Sequence, residues 1–228
     1  MRSLATYGPM LRSIGAETAA LLLSASCAGC DEPGELLCGQ CRAQLLPRPV
    51  DIRTPRGLAV RAALSFEGVA ARCIRRLKGE GESSLARPLG GALGTVLAAV
   101  SPPDALVVAV PTSPAAFRRR GYRVPELLVH RAGATPHRLL AIAARRSDQR
   151  GLDARSRRDN VRGSMHATRR GRGERIVLFD DVITTGSTLD EAAGTLTDAG
   201  FDVLSAVALA ATPRHRKLIE DSSTTRRK

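Results

Sequence analysis

Apolar positions along this chain follow two rhythms. Residues 60–66 read as a strand, and residues 69–77 carry apolar side chains at helical spacing as far as Gly79. Residues 85–100, rich in Ala and Leu, predict a second helix. Residues 105–110 form a continuous apolar run bounded by prolines, the pattern of a buried parallel strand. Residues 124–132 and 136–144 predict two more helices. Residues 176–179 predict a short buried strand, 188–199 a helix and 203–209 a last strand. Strands alternating with helices imply an α/β fold with a mainly parallel sheet flanked by helices.

Composition narrows the picture. Of 228 residues, 43% are hydrophobic and 25% charged, which is globular rather than disordered. No apolar run approaches the ~18 residues that a membrane-spanning helix needs. Aromatic residues make up 3% and Trp is absent, which argues against RNA recognition by ring stacking. The formal net charge is +13. Residues 117–175 hold 17 arginines and no lysine against five carboxylates, a local excess of 12. Such a field attracts phosphate, on a nucleic acid or on a small ligand. It is equally the composition of a solvated loop. Near the N-terminus, Arg2 and Arg12 precede a short apolar stretch at 19–23. It is too short for an export signal, and Leu11, Ile14, Thr18, Leu21 and Leu22 lie at helical spacing, so an amphipathic helix is expected there.

Four of the five cysteines form a pair of pairs. Cys27 and Cys30 are followed, after seven intervening residues, by Cys38 and Cys41. Each Cys-x-x-Cys turn can bring two thiolates to one metal, and two turns complete a closed tetrahedron around Zn²⁺. Four thiolates leave no open position, so the reading is structural zinc. Two disulfides are the competing use of this spacing, and reduced cytoplasmic thiols favour the metal. A cytoplasmic location is expected accordingly. Cys73 stands alone and reads as a small core hydrophobe. The expected organisation is an N-terminal helix and zinc-knuckle region over 1–46, a linker over 47–58 marked by Pro47, Pro49 and Pro55, the α/β domain over 59–213, and a disordered basic tail over 214–228.

The densest chemistry lies in residues 175–189, RIVLFDDVITTGSTL. An apolar strand runs into Asp180 and Asp181, then a small-residue loop, then a helix. Loop N–H groups and a helix N-terminus converge on a phosphate in such an arrangement, and Thr184, Thr185, Ser187 and Thr188 add hydroxyl donors. Gly186 permits close backbone approach. Two carboxylates beside a phosphate make sense if they accept hydrogen bonds from sugar hydroxyls. The Gly-x-x-x-x-Gly-Lys spacing of a nucleotide P-loop is absent.

Residues 179–188 resemble the signature of type I phosphoribosyltransferases: hydrophobics, two acids, two variable residues, Thr-Gly and hydroxyls. The resemblance implies that Asp180 and Asp181 contact the ribose hydroxyls of phosphoribosyl pyrophosphate (PRPP) and act as the catalytic pair. It implies that Thr184, Thr185, Gly186, Ser187 and Thr188 bind the 5′-phosphate. Over roughly residues 20–212 the chain more closely resembles the ComF family of ComFC-like amidophosphoribosyltransferases, which join a four-cysteine knuckle to this fold. Matching positions include Lys78, Val110-Pro111, Arg120-Gly121-Tyr122, Gln149, Leu152, Asn160 and Gly163. Arg123 and Val124 stand where that family usually has Asn-Gln, and Met165 where it has an aromatic. The resemblance implies Mg²⁺ carried with PRPP, and pyrophosphate or phosphate contacts from Lys78, Pro111, Thr112, Arg118, Arg119 and Arg120. It also implies a lid over 145–162 that includes Gln149, Arg157, Arg158 and Asn160. No general base stands out, since His130, His137, His166 and His215 are scattered.

Three functions fit these readings. The first transfers phosphoribosyl from PRPP to a nitrogen nucleophile such as a nucleobase. The second senses PRPP or a nucleotide without turnover. The third is a ComF-type accessory factor that handles single-stranded DNA or partners with the DNA-uptake machinery of competent cells.

Overall fold

The computed structural model describes residues 26–79, 81–143 and 163–213. The expected N-terminal helix, the lid residues Gln149, Arg157, Arg158 and Asn160, and the basic tail lie outside the described residues.

Six strands form the main sheet. They are β1 (Val50–Arg53), β2 (Ala59–Ser65), β3 (Leu106–Ala109), β4 (Pro136–His137), β7 (Arg175–Ile183) and β8 (Asp202–Ala211), in the order β1-β2-β8-β7-β3-β4. Only β1 is antiparallel to its neighbour; the other pairings are parallel. A separate hairpin pairs β5 (Leu140–Ile142) with β6 (Met165–Ala167). The helices are α1 (Gly39–Ala43), α2 (Gly68–Gly79), α3 (Ala86–Val100), α4 (Pro114–Arg120), α5 (Val124–Arg131) and α6 (Ser187–Asp198).

Period-two alternation divides the core between the two faces of the sheet. Val177 and Phe179 of β7 pack with Leu89, Leu93 and Leu128 from α3 and α5. Ile176 and Leu178 pack instead with Leu189 and Leu196 of α6. Burying each such side chain contributes about 1.5–3 kcal/mol. A strand covered on both faces must be apolar throughout, which is why 176–179 reads as a run and not as an alternation.

The structure departs from the sequence pattern in three places. Within the stretch 136–144, expected as a helix, residues 136–142 contain β4 and β5. Pro136 has no N–H to donate within a helix, and it sits on an edge strand where none is required. The proline-marked stretch 47–58 contains β1, whose Asp51 carboxylate is gripped from β2 by Arg61 at 2.7 Å. Finally, β7 continues past Phe179 through both acids, because Ala208, Ala210 and Ala211 of β8 supply ladder partners for Asp180, Val182 and Ile183.

The four-cysteine region is docked on the domain rather than suspended from it. Cys27, Ala28, Leu37, Cys41 and Leu45 are buried in one cluster with Val69 and Cys73 of α2. Asp31, whose backbone takes the left-handed conformation at φ 64°, pairs with Arg76 of α2 at 2.6 Å and with Arg72 at 3.7 Å.

Candidate phosphoribosyl site and metal knuckle

The candidate site gathers where β7 and β3 end. Val110 N donates to Phe179 O at 2.9 Å, so Pro111 and Thr112 leave the sheet beside Asp180 and Asp181. In α/β folds ligands bind at this carboxyl end of the strands. Asp180 is half-buried, and its Oδ1 accepts from Asp181 N at 2.8 Å. Asp181 is buried, and its Oδ1 receives the Lys78 ammonium at 2.8 Å. The structure therefore joins Lys78, from the end of α2, directly to the acid pair.

Burial and the neighbouring negative charge of Asp181 raise the Asp180 carboxyl from its ordinary 3.8 to about 7. A group whose folded-state pKa is raised stabilises the fold below its unfolded pKa and loses that contribution as pH rises through the folded value. For Asp180 that window runs from about pH 4 to about pH 7. Asp180→Asn is thus expected to raise the melting temperature of the ligand-free protein at pH 8 and to leave it unchanged at pH 4. Thermal scans of both proteins across this range check it; an equal gap at both pH values would contradict the raised pKa.

After Ile183 the chain turns through Thr184 and Thr185, both exposed, to Gly186 at φ 85°, the N-cap of α6. The N-cap residue Gly186 has no side chain to cap this helix, and of its first N–H groups Ser187 N is met by a loop hydroxyl. Thr185 Oγ1 and Ser187 Oγ lie 3.0 Å apart, and Ser187 N donates to Thr185 Oγ1 at 3.3 Å. Ser187 and Thr188 are half-buried in the first turn.

The loop rests on the β1–β2 turn, which carried no signal in the sequence. A Cβ on Gly186 would stand 3.0 Å from Thr54 Cγ2. Arg56 N donates to Asp190 Oδ2 at 3.1 Å, tying the same turn to the first turn of α6. Asp190 is buried, with Oδ1 lacking a partner. Its contact with Arg56 spans 134 residues of sequence.

The arginines after β3 take different places. α4 begins at the Ser113 N-cap, whose Oγ accepts from Ala116 N, and ends at Gly121 with φ 78°. Arg118 and Arg119 are exposed on it. Arg120 is half-buried and donates to the Lys78 carbonyl at 3.0 Å. Arg123 lies 4.2 Å over the Phe117 ring. Val124 is fully buried.

The four knuckle sulfurs lie within 4.8 Å of one another, and Cys30 Sγ to Cys38 Sγ is 3.8 Å. A tetrahedron with Zn–S bonds of ~2.3 Å has edges near ~3.8 Å, so the cluster fits this metal. All five cysteines are free thiols. Cys27 Sγ accepts from Gly29 N at 3.4 Å and from Cys38 N at 3.3 Å. Burial opposes ionisation of Cys27, yet the amides of Cys38, Gly29 and Cys30 bring its thiol down to about 6. Burial pushes the Cys41 thiol up. A shared cation is what would let both ionise together.

An acid pair near the end of a central strand thus stands a few residues before a helix N-terminus whose N-cap is a glycine. The fold is a mainly parallel sheet flanked by helices. Residues 134–226 match the family model described as "Phosphoribosyl transferase domain". That match takes in β7, the loop and α6. No curated protein sequence matches the chain. Among solved structures, an adenine phosphoribosyltransferase is 13% identical over 75% of this chain and 89% of its own, with a TM-score of 0.40. The orotate phosphoribosyltransferase of Aeropyrum pernix is 20% identical over 75% and 78%, with a TM-score of 0.34. A structure described as the allosteric regulatory enzyme of purine biosynthesis is 23% identical over 53% of this chain, with a TM-score of 0.32. The chain spans only 26% of that longer protein. Among the described residues no helix is long and apolar enough to cross a membrane.

Proposed function

We propose that this protein is a phosphoribosyltransferase that binds Mg–PRPP and transfers its phosphoribosyl group to a nitrogen nucleophile, releasing pyrophosphate. Within that superfamily the reading is a ComF-type protein, since a four-cysteine zinc knuckle precedes the fold. One observation carries the proposal: Asp180 and Asp181 lie near the end of β7, a few residues before the glycine N-cap of α6.

The chemistry follows from those positions. Amides of 184–188 and the hydroxyls of Thr184, Thr185, Ser187 and Thr188 hold the 5′-phosphate. Asp180 and Asp181 accept from the ribose hydroxyls, and their charge stabilises the cation developing at C1. Mg²⁺ bound with PRPP would supply charge neutralisation for the departing pyrophosphate. The amides after Pro111, with Thr112, Lys78 and the Arg118 and Arg119 guanidinium groups, take up the leaving group. The C1–O bond to pyrophosphate breaks, the C1–N bond forms, and the nitrogen gives its proton to solvent.

Calorimetry with Mg–PRPP tests the reading. Wild type is expected to bind in the micromolar range, and Asp180→Ala/Asp181→Ala to weaken binding by about a hundredfold or more, as expected when two charge-assisted contacts are lost. A panel of nucleobases, read by pyrophosphate release, then identifies the acceptor. Equal binding by the double variant would remove the acids from the site. Binding without release for any acceptor would turn the assignment to a PRPP sensor.

A further inference from the structure

We propose that Tyr122 and Arg120 are positioning residues for Lys78, which cap the end of α2 and so set the reach of its ammonium into the phosphate site. The role in PRPP binding rests on the function proposed above; the capping contact does not.

The last four carbonyls of an α-helix have no partner within it. In α2 two of these are Leu77 O and Lys78 O, and side chains at the end of α4 and just after it satisfy both. Tyr122 OH donates to Leu77 O at 2.6 Å, and Arg120 donates to Lys78 O at 3.0 Å. The Tyr122 ring packs against the main core, which fixes where its hydroxyl stands. Arg120 keeps its orientation even though its Nε is buried without a partner, so the Lys78 carbonyl is its anchoring contact. On the other side α2 is held by Asp31 through Arg76 and Arg72.

Lysine has a long, freely rotating stem, so its ammonium finds one partner reliably only when its own backbone is fixed. With α2 clamped on both sides, Lys78 Nζ rests on Asp181 Oδ1 at 2.8 Å. There it offsets a buried carboxylate in the ligand-free protein. An arriving phosphate can then draw the ammonium across by side-chain rotation alone, with no movement of the helix. Arg120 thus serves the anion site through Lys78 with the donor it gives to that carbonyl.

The chain has only three lysines, Lys78, Lys217 and Lys228, so acetylation of Lys78 can be followed by mass spectrometry on the intact sequence. Without ligand, Tyr122→Phe and Arg120→Met are each expected to raise the Lys78 acetylation rate by about threefold or more, as a loosened hydrogen bond allows. Unchanged rates in both variants would overturn the clamp. With Mg–PRPP, Tyr122→Phe is expected to weaken binding about three- to tenfold in the wild-type background. In a Lys78→Met background the same change should leave binding within about twofold, because Tyr122 acts through the lysine. Equal weakening in both backgrounds, or none in wild type, would overturn the positioning role. Failure of wild type to bind PRPP would sink the proposed function instead, and the acetylation rates, which need no ligand, would still decide the clamp.

Discussion

On the zinc reading of the knuckle, serine in place of Cys41 is expected to abolish metal binding there, lower the melting temperature by roughly 10 °C and weaken PRPP binding. Loss of a structural metal belongs with the changes that cost about 4 kcal/mol or more, and a chain of this size shifts by about 2–4 °C per kcal/mol. The loss spreads because the knuckle is docked. Cys41 is 3% exposed and shares a cluster with Val69 and Cys73 of α2. Gly29 shows how tight the contact is, since a Cβ there would stand 2.5 Å from Cys41 Sγ and 2.9 Å from Val69 Cγ1. A knuckle that opens also withdraws Asp31 from Arg76 and frees the helix that carries Lys78. Zinc content, thermal unfolding and PRPP calorimetry check the three parts. Chelated wild type should match the variant. A Cys41→Ser protein with full metal and an unchanged melting temperature would mean that the cluster holds no zinc.

Alanine at Gly186 is expected to weaken Mg–PRPP binding by about a hundredfold or more while costing a few kcal/mol of stability. At φ 85° an L side chain pays about 1–2 kcal/mol in backbone strain. The added Cβ would also lie 3.0 Å from Thr54 Cγ2, 3.2 Å from its Cβ and 3.3 Å from its Cα. Thr54 cannot yield cheaply. It is 5% exposed, its Oγ1 accepts from Leu58 N at 3.0 Å, and its backbone bonds to Leu58 and Gly57. The loop must therefore move, and displaced amides no longer converge on the phosphate. Thr54→Ser in the alanine background removes the methyl and should restore part of the stability, with less gain in affinity. Full affinity in Gly186→Ala would show that the phosphate lies elsewhere.

The sheet was largely legible because its strands are buried on both faces. Runs such as 176–179 leave few alternatives, and β2, β3, β7 and β8 fall where apolar runs placed them. α2, α3, α5 and α6 likewise follow helical periodicity bounded by glycine or proline. Short elements were not legible. β4 and β5 are two and three residues long, and the apolar spacing of 136–144 fits a helix as well as two brief extended pieces. β1 hides among prolines because an edge strand needs hydrogen bonds on one side only. α4 shows only a Ser-Pro start and a glycine stop around a string of arginines.

The candidate site divides in the same way. By itself the sequence determined the pieces whose chemistry is local: four cysteines at metal-binding spacing, and two acids followed by a hydroxyl-rich glycine loop. Each depends on residues a few positions apart, where backbone geometry alone sets what can meet. Only the tertiary structure decided that Lys78 rests on Asp181, that Tyr122 and Arg120 hold the end of its helix, and that Thr54 and Asp190 back the loop. These contacts join segments 42 to 134 residues apart. No local rhythm encodes such pairs, because it is burial of the two core clusters that brings the segments together, and only then do individual donors and acceptors meet.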